Sequence, residues 1–233
     1  MTESLRQAPA TGVSHVDALP PGTRLAEFEI LALLGVGGFG MVYKAFDHSL
    51  HRAVAIKEYM PSALAGRAQG QSLWVRSSSD QHTFQAGLAS FVGEARLLAQ
   101  FDHPSLVKVF RFWEANNTAY MVMPLYQGIT LKQYAAQHAE PISNDLLLNW
   151  LVALTEALEC MHAQQCYHRD ISPENIIIQE GTGLPILLDF GAARRAIGSV
   201  SQPFTVILKA SYAPIEQYAE VPSMTQGPWT DVY

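Results

Sequence analysis

The sequence predicts an α+β chain of two lobes, an antiparallel sheet with one helix in the first half and a mainly helical second half, with a cleft between them. Three observations carry this expectation. Short β-prone runs bounded by turn residues fill the chain from Phe28 to Met123, apolar spacing turns helical after Pro124, and 16 Gly with 13 Pro demand many turns rather than one long bundle. A chain of 233 residues buries roughly 70% of its unfolded surface, so its core needs no disulfide or metal staple.

Residues 1–26 are polar and broken by Pro9, Pro20, Pro21 and Gly22, which reads as a leader or linker. Residues 28–34, 41–46 and 53–58 read as strands, and residues 60–82, rich in Ser, Gly and Gln, as irregular. Phe84, Leu88, Phe91, Val92, Ala95 and Leu98 follow i, i+4, i+7, i+8 spacing and predict an amphipathic helix that ends near Asp102-His103-Pro104. Two further strands, 106–113 and 119–123, meet at a turn on Asn116-Asn117. The first lobe is therefore expected over 27–123 and the second over 124–233. In the second lobe Ser143 stands where an N-cap is needed, ahead of a helix with Leu147, Leu151, Leu154, Leu158 and Met161 on one face. Short strands follow at 175–178 and 186–188, then a stretch from 192 to 217 with little periodicity.

Charge and cysteine content narrow the function classes. Fifteen Lys plus Arg against 21 Asp plus Glu, a formal charge of -6, argue against a broadly basic nucleic-acid binder, and the scattered tryptophans offer no platform for stacked bases. Cys160 and Cys166 cannot make a disulfide scaffold and suit a reducing cytoplasm, where the chain is expected. The opening MTESLRQAPA has no apolar core and reads as no signal peptide. The most apolar run, 146–154, is interrupted by Asn149 and falls short of the ~20 residues a spanning helix needs.

Several motifs carry chemistry. Gly35-Val36-Gly37-Gly38-Phe39-Gly40 fits G-x-G-x-x-G, in which missing side chains let backbone N–H groups approach phosphate oxygens. A dinucleotide fold would need a helix after Gly40, whereas Met41-Val42-Tyr43-Lys44-Ala45 continues as a strand, so a hairpin flap over phosphates fits better than a helix cradle. An ordinary glycine turn is the plain alternative. Val54-Ala55-Ile56-Lys57 sets a lysine in an apolar strand, and Glu94, sharing a helix face with Phe91 and Leu98, is its candidate partner. Taken alone, that pair reads better as a snorkelling lysine and a solvated glutamate. His168-Arg169-Asp170-Ile171-Ser172-Pro173-Glu174-Asn175 precedes one short strand, and Asp189-Phe190-Gly191 follows another. Cys160-x-His162 and Cys166-x-His168 have ligand types that suit zinc, though packing is the better reading of both.

In this order the motifs resemble a protein kinase catalytic domain of the Ser/Thr type, bacterial in style, from about Phe28 to the last residue. The resemblance implies a two-lobed protein-kinase-like fold and a kinase transferring the ATP γ-phosphate, with Mg²⁺, to Ser and Thr hydroxyls of a protein substrate. It implies that Gly35, Val36, Gly37, Gly38, Phe39 and Gly40 cover the phosphates, and that Lys57 holds the α- and β-phosphates while pairing with Glu94. By the same likeness Asp170 accepts the proton of the attacking hydroxyl, and Asn175 and Asp189 hold Mg²⁺. Val42, Ala55 and Ile177 match the residues that sandwich adenine. Met123 matches the one guarding the back of that pocket, and Leu125 lies in the hinge at 124–126. Leu98, Val109, His168 and Phe190 match a hydrophobic stack linking the lobes. Autophosphorylation in trans is a further implication, as is sensing by Arg169 of a phosphate on Ser199, Ser201 or Thr205.

The sequence departs from the family in places. Ser172 stands where most members carry lysine. With Glu216 aligned to the glutamate closing the activation segment, Lys209 falls where threonine is usual, and Lys209 is expected to supply the missing cation. Residues 227–233, with Asp231 matching an aspartate that hydrogen-bonds the catalytic loop, resemble the opening of the central helix of the second lobe, so the chain is expected to be truncated there. A pseudokinase or nucleotide-binding scaffold, and a small-molecule phosphotransferase, are the alternatives to a protein kinase.

Overall fold

A computed structural model describes residues 13–68, 70–138, 140–189, 211–218 and 225–233. The described residues form two compact units, one from Met1–Leu88 and Phe110–Leu125, the other from Ala89–Val109 and Tyr126–Tyr233. The division is not one cut in the chain, because the two units exchange segments around residues 89–110.

The first unit is built on strands β1 (Arg24–Leu25), β2 (Phe28–Val36), β3 (Gly40–Asp47) and β4 (Arg52–Tyr59). A hairpin of β5 (Ala65–Arg67) and β6 (Leu73–Val75), the first part of helix α1 (Gln81–Leu98), whose residues from Ala89 on belong to the second unit, and strands β7 (Arg111–Ala115) and β8 (Thr118–Pro124) follow. Six strands make one antiparallel sheet in the order β1-β2-β3-β4-β8-β7. Cross-strand partners share a face, and the pairings Met41 with Glu58 and Glu58 with Tyr120 put those three residues together on one face. Tyr43, Val54, Ile56 and Val122 belong to the same face, and all of these side chains are buried. That face is the core of the unit. The β7/β8 turn is made by Asn116 and Asn117 at φ 55° and 56°, the left-handed conformation a two-residue hairpin loop requires and asparagine tolerates.

Residues 60–82 are more regular than their composition suggests. The hairpin of β5 and β6 exists because Arg67 leaves its polar surroundings and enters the core. Arg67 Nη2 donates to Glu58 Oε1 at 2.6 Å, and both side chains are almost fully buried. Burial pushes the Glu58 carboxyl upward, and the guanidinium beside it pulls it back. Residues 17–25, read above as part of a leader, also join this unit. Asp17 Oδ1 accepts the Arg67 backbone N–H at 2.7 Å, Leu19 is buried, and Arg24–Leu25 pairs with β2. Polar composition hid this, because the residues that anchor the segment are single ones.

The apolar face expected of α1 is realised, with Phe84, Leu88, Phe91, Val92, Ala95 and Leu98 all buried. The strand expected at 106–113 is divided between two jobs. Only Arg111–Ala115 pairs with β8, while Val107 donates to Leu187 O at 3.1 Å and Leu187 donates to Ser105 O at 2.9 Å.

The second unit contains β9 (Gly128–Thr130), α2 (Leu131–Gln137), α3 (Asn144–His162), β10 (Ile176–Gln179), β11 (Pro185–Leu187), and the short helices α4 (Ile215–Tyr218) and α5 (Pro228–Val232). Its sheet runs β11-β10-β9. Ser143 caps α3 as expected, accepting the Leu146 N–H at 3.3 Å. The expected apolar face of α3 is only half right: Leu158 and Met161 are buried with Trp150 and Ala157, but Leu147 and Leu151 are 52% and 55% exposed. Trp150 wins the buried position because its indole N–H donates to Gly183 O at 2.9 Å and its ring meets Tyr134 edge-on. Among the described residues no helix is long and apolar enough to cross a membrane.

One close approach is testable. A Cβ on Gly87 would lie 2.2 Å from Tyr59 Oη, whose hydroxyl donates to Phe84 O at 3.0 Å. Gly87→Ala should destabilise the protein by about 1–3 kcal/mol in urea unfolding, and Tyr59→Phe in the same chain should recover part of that loss. Additive losses would show that the two residues do not compete for space.

Candidate active site

The chemistry-bearing residues of the second unit sit on an irregular loop, residues 166–175, between α3 and β10. A buried loop without a ladder needs outside partners for its backbone groups. Asp231 on α5 supplies two: it accepts the N–H of His168 at 2.8 Å and of Arg169 at 2.6 Å. Its Oδ2 also lies 2.8 Å from His162 Nε2. Gln217 Nε2 donates to Arg169 O at 3.0 Å, and the Lys132 N–H donates to Pro173 O at 2.9 Å. Lys132 Nζ further donates to Glu174 Oε1 at 2.5 Å on the surface.

His168 ties the loop to the strand beside it. Its ring is fully buried, with Nε2 2.8 Å from Leu188 O. A carbonyl can only accept, so Nε2 carries the proton, and Nδ1 is left to accept the Asp170 N–H at 3.2 Å. Burial lowers the pKa of this imidazole, against the opposing pull of the Leu188 carbonyl and of Asp231, and the ring is neutral.

Asn175 completes the arrangement. Its Nδ2 donates to the Asp170 carbonyl at 2.7 Å and to Asp170 Oδ2 at 3.0 Å. Its own backbone carbonyl accepts the Leu188 N–H at 2.7 Å, next to Asp189. Three residues expected to act together, Asp170, Asn175 and Asp189, are thus joined through two short links. Arg169 and Asp189 have φ of 65° and 45°, a region that costs non-glycine residues about 1–3 kcal/mol and is retained mostly at functional sites. With Nδ2 spent on Asp170, Asn175 keeps Oδ1, and Asp189 brings a carboxylate. Both are oxygen donors of the kind Mg²⁺ takes while keeping several waters and substrate phosphates. Among the described residues no group of three His, Cys, Asp or Glu gathers as a metal site. His162 and His168 are engaged with Asp231 and Leu188, which accounts for them without zinc.

In the first unit, β4 sets Lys57 opposite Val42 on β3 and Met121 on β8, and Ala55 opposite Met123. Val42, Ala55, Lys57 and Met123 therefore share the sheet face opposite to Glu58. Leu125 follows β8 and is half-buried. In the 35–40 turn the Gly37 N–H donates to Gly40 O at 2.8 Å, and Val36, Gly37, Gly38 and Phe39 are exposed. A Cβ on Gly35 would meet nothing within 4 Å, whereas one on Gly40 would lie 2.3 Å from Glu58 O. Gly40 is thus demanded by the packing of β3 on β4, a reason the motif alone does not reveal.

Glu94 is buried on α1 and belongs to the second unit, as do Ile177 on β10, Leu98, Val109 and His168, while Lys57 belongs to the first. Ser172 is buried. Phe190, Gly191, Ser199, Ser201, Thr205 and Lys209 lie outside the described residues. Sequence reasoning missed Glu58, Arg67 and Asp17. The available signal was Glu58 itself, a charge in a strand whose other residues on that face are apolar.

The protein kinase domain family model matches residues 28–219, and the chain belongs to that family, as its motifs suggested. It is 31% identical over 181 residues to Serine/threonine-protein kinase D of Synechocystis sp., covering 76% of this chain and 32% of that protein. It is 35% identical over 197 residues to Serine/threonine-protein kinase pkn2 of Myxococcus xanthus, covering 82% of this chain and 21% of that protein. The chain thus spans a third or less of the length of these curated relatives. The solved structure "PpkA-294 apo form" is 51% identical with a TM-score of 0.82, over 93% of this chain and 75% of that one. The kinase domain of Mycobacterium tuberculosis PknI shares the fold at 22% identity, with a TM-score of 0.64 over 93% of this chain and 72% of that one. The chain is a protein kinase domain with the protein kinase fold.

The state of His168 makes a pH prediction. Its folded pKa lies below the unfolded value of about 6.5, so the unfolded chain takes up a proton that the native ring refuses. The stability that His168 contributes is fully present above about pH 6.5 and falls as pH drops toward the depressed value, by at most about 1.4 kcal/mol per pH unit. Urea unfolding at pH 7.5, 6.0 and 5.0 should show this slope, and His168→Gln should flatten it. An equal slope in both proteins would place the titration elsewhere.

Proposed function

We propose that this chain transfers the γ-phosphate of ATP to Ser and Thr hydroxyls of a protein substrate. The single observation that carries the reading is the Asn175 amide donating to the Asp170 carbonyl and to one oxygen of its carboxylate, with Asp189 one residue from the Leu188 N–H that Asn175 accepts. The intact set of Lys57, Asp170, Asn175 and Asp189 supports a catalyst over a nucleotide-binding scaffold.

Phosphoryl transfer through a loose transition state asks little covalent chemistry of a protein and much positioning. Asp170 accepts the proton of the substrate hydroxyl as its oxygen bonds to the γ-phosphorus and the bond to the β-bridging oxygen breaks. The Asn175 amide fixes the rotamer of Asp170 and leaves its other oxygen for that proton. Lys57 holds the α- and β-phosphates, while residues 35–40 bring backbone N–H groups over them. Val42, Ala55, Met123 and Leu125 take the adenine. Asn175 and Asp189 would hold Mg²⁺, which when bound would neutralise charge on the phosphate oxygens. Lys209 adds a cation that Ser172 does not provide. A cytoplasmic location and autophosphorylation in trans belong to the same reading.

The test is label transfer from ATP to a generic basic protein in the presence of Mg²⁺. Asp170→Asn should lower turnover by about 10²–10⁴-fold, the range of general-base contributions, and Asp189→Ala should abolish Mg²⁺-dependent transfer. Turnover that survives Asp170→Asn undiminished would exclude the assigned base. Nucleotide binding without transfer in the unaltered chain would instead support the scaffold. Lys209→Ala should lower turnover as well, and unchanged turnover would remove Lys209 from the site.

A further inference from the structure

We propose that Glu58, Arg67 and Asp17 are positioning residues for Lys57, acting from the opposite face of β4 and drawing the N-terminal segment at residues 17–25 into the nucleotide-binding machinery. The proposal rests on the reading that Lys57 holds nucleotide phosphates.

Lys57 and Glu58 are neighbours on β4 and point to opposite faces of the sheet. Lys57 is half-buried on the more open face, and Glu58 is completely buried on the core face. A strand between two neighbours can still tilt or slide, and a one-residue slip would exchange these two side chains between faces. Apolar packing on the buried face sets the register, but it has no direction with which to fix a small tilt. The Glu58 carboxylate does have direction. Its Oε1 accepts from Arg67 Nη2 at 2.6 Å and its Oε2 from the Tyr43 hydroxyl at 2.9 Å.

Arg67 is in turn fixed by every nitrogen it has. Nε donates to Asp17 O at 2.8 Å, Nη1 donates to Gln71 O, and its backbone N–H donates to Asp17 Oδ1 at 2.7 Å. Asp17 Oδ2 also lies 3.6 Å from Arg76 Nη2, which ties the far side of the same hairpin. Leu19 closes the circuit by donating its N–H to Tyr43 Oη at 3.2 Å. Three stretches, the distant residues 17–19, β4 and the β5/β6 hairpin that follows it, meet on one ion pair. A buried ion pair is weak evidence for stability, since apolar replacements of similar volume often serve as well, and its best-attested use is to specify register. A network that needs an N-terminal segment and an extra hairpin to satisfy one guanidinium, directly behind the residue expected to touch phosphate, fits that use.

The experiment measures two quantities on the full chain, the dissociation constant for a fluorescent ATP analogue with Mg²⁺ and the melting temperature. Lys57→Met sets the scale of the lysine's own contribution. In the Glu58→Met/Arg67→Met double variant the pair is replaced by apolar side chains, so the melting temperature should hold or rise while the analogue binds about tenfold more weakly, the loss expected of a misplaced binding group. Asp17→Ala, which leaves the pair in place and releases the N-terminal segment, should weaken binding about threefold. Arg67→Lys with Glu58 retained should recover only part of the affinity, since lysine cannot reproduce the fork. If Lys57→Met weakens binding but the folded double variant and Asp17→Ala bind as well as the unaltered chain, the network is merely structural and the proposal is overturned. If Lys57→Met itself changes nothing, the reading of Lys57 falls and the positioning role falls with it. Should the double variant fail to fold, Asp17→Ala decides alone. Binding without phosphoryl transfer would overturn the proposed activity and leave this inference standing.

Discussion

The Asp231 carboxylate, buried beneath an irregular loop, is the interaction on which the second unit's chemistry depends. Residues 166–175 have no ladder to order them, and a loop in that condition adopts whatever shape its backbone partners dictate. Asp231 receives two successive backbone N–H groups and faces His162, which holds Arg169 in a left-handed conformation that an arginine does not otherwise favour. Once His168 and Arg169 are pinned, the His168 ring reaches Leu188 and the Asp170 N–H reaches that ring. The order of dependence runs from a carboxylate on a short helix to Asp170, some 60 residues earlier in sequence.

The first unit solves a similar problem with a strand rather than a loop. β4 is hydrogen-bonded on both sides, so its backbone is already satisfied, and what remains to be settled is which way its side chains face and how firmly. One face is a dry core closed by Tyr43, Tyr120 and the paired charges of Glu58 and Arg67. The other carries Lys57, half-buried beside Val42, Ala55, Met121 and Met123. Burying a full ion pair where hydrocarbon would serve is costly in desolvation, and it makes sense where direction matters more than net stability. Gly40 belongs to the same solution, since its missing side chain lets β3 close onto the Glu58 carbonyl. A glycine that looks like part of a phosphate flap thus also belongs to the core.

How much of this could be read in advance follows from the range of each interaction. The strands at 28–36, 40–47 and 52–59, helix α1, the Asn116-Asn117 turn and the Ser143 cap were legible because each depends on residues a few positions apart, where periodicity and turn chemistry act. The β5/β6 hairpin was not, because its stability comes from Arg67 meeting Glu58 and Asp17, and neither partner is adjacent to it. The face of α3 was misread for the same reason: Leu147 and Leu151 have the right spacing, but Trp150 finds the hydrogen-bond acceptor and the aromatic neighbour. Asp170, Asn175 and Asp189 were nameable from their motifs, yet the amide that joins two of them and the neutral imidazole that ties Asp170 to Leu188, beside the third, are facts of geometry.

By itself, then, the sequence determined the local pieces and the chemical types available, because helix period, strand alternation, glycine placement and side-chain identity are written residue by residue. Only the tertiary structure decided which polar groups are buried together, that a carboxylate at position 231 shapes a loop at 168 and that an arginine at 67 stands behind a lysine at 57. The physical reason is that a buried charge or N–H group must find a partner whatever its distance along the chain, and which partner it finds is settled only when the chain has folded.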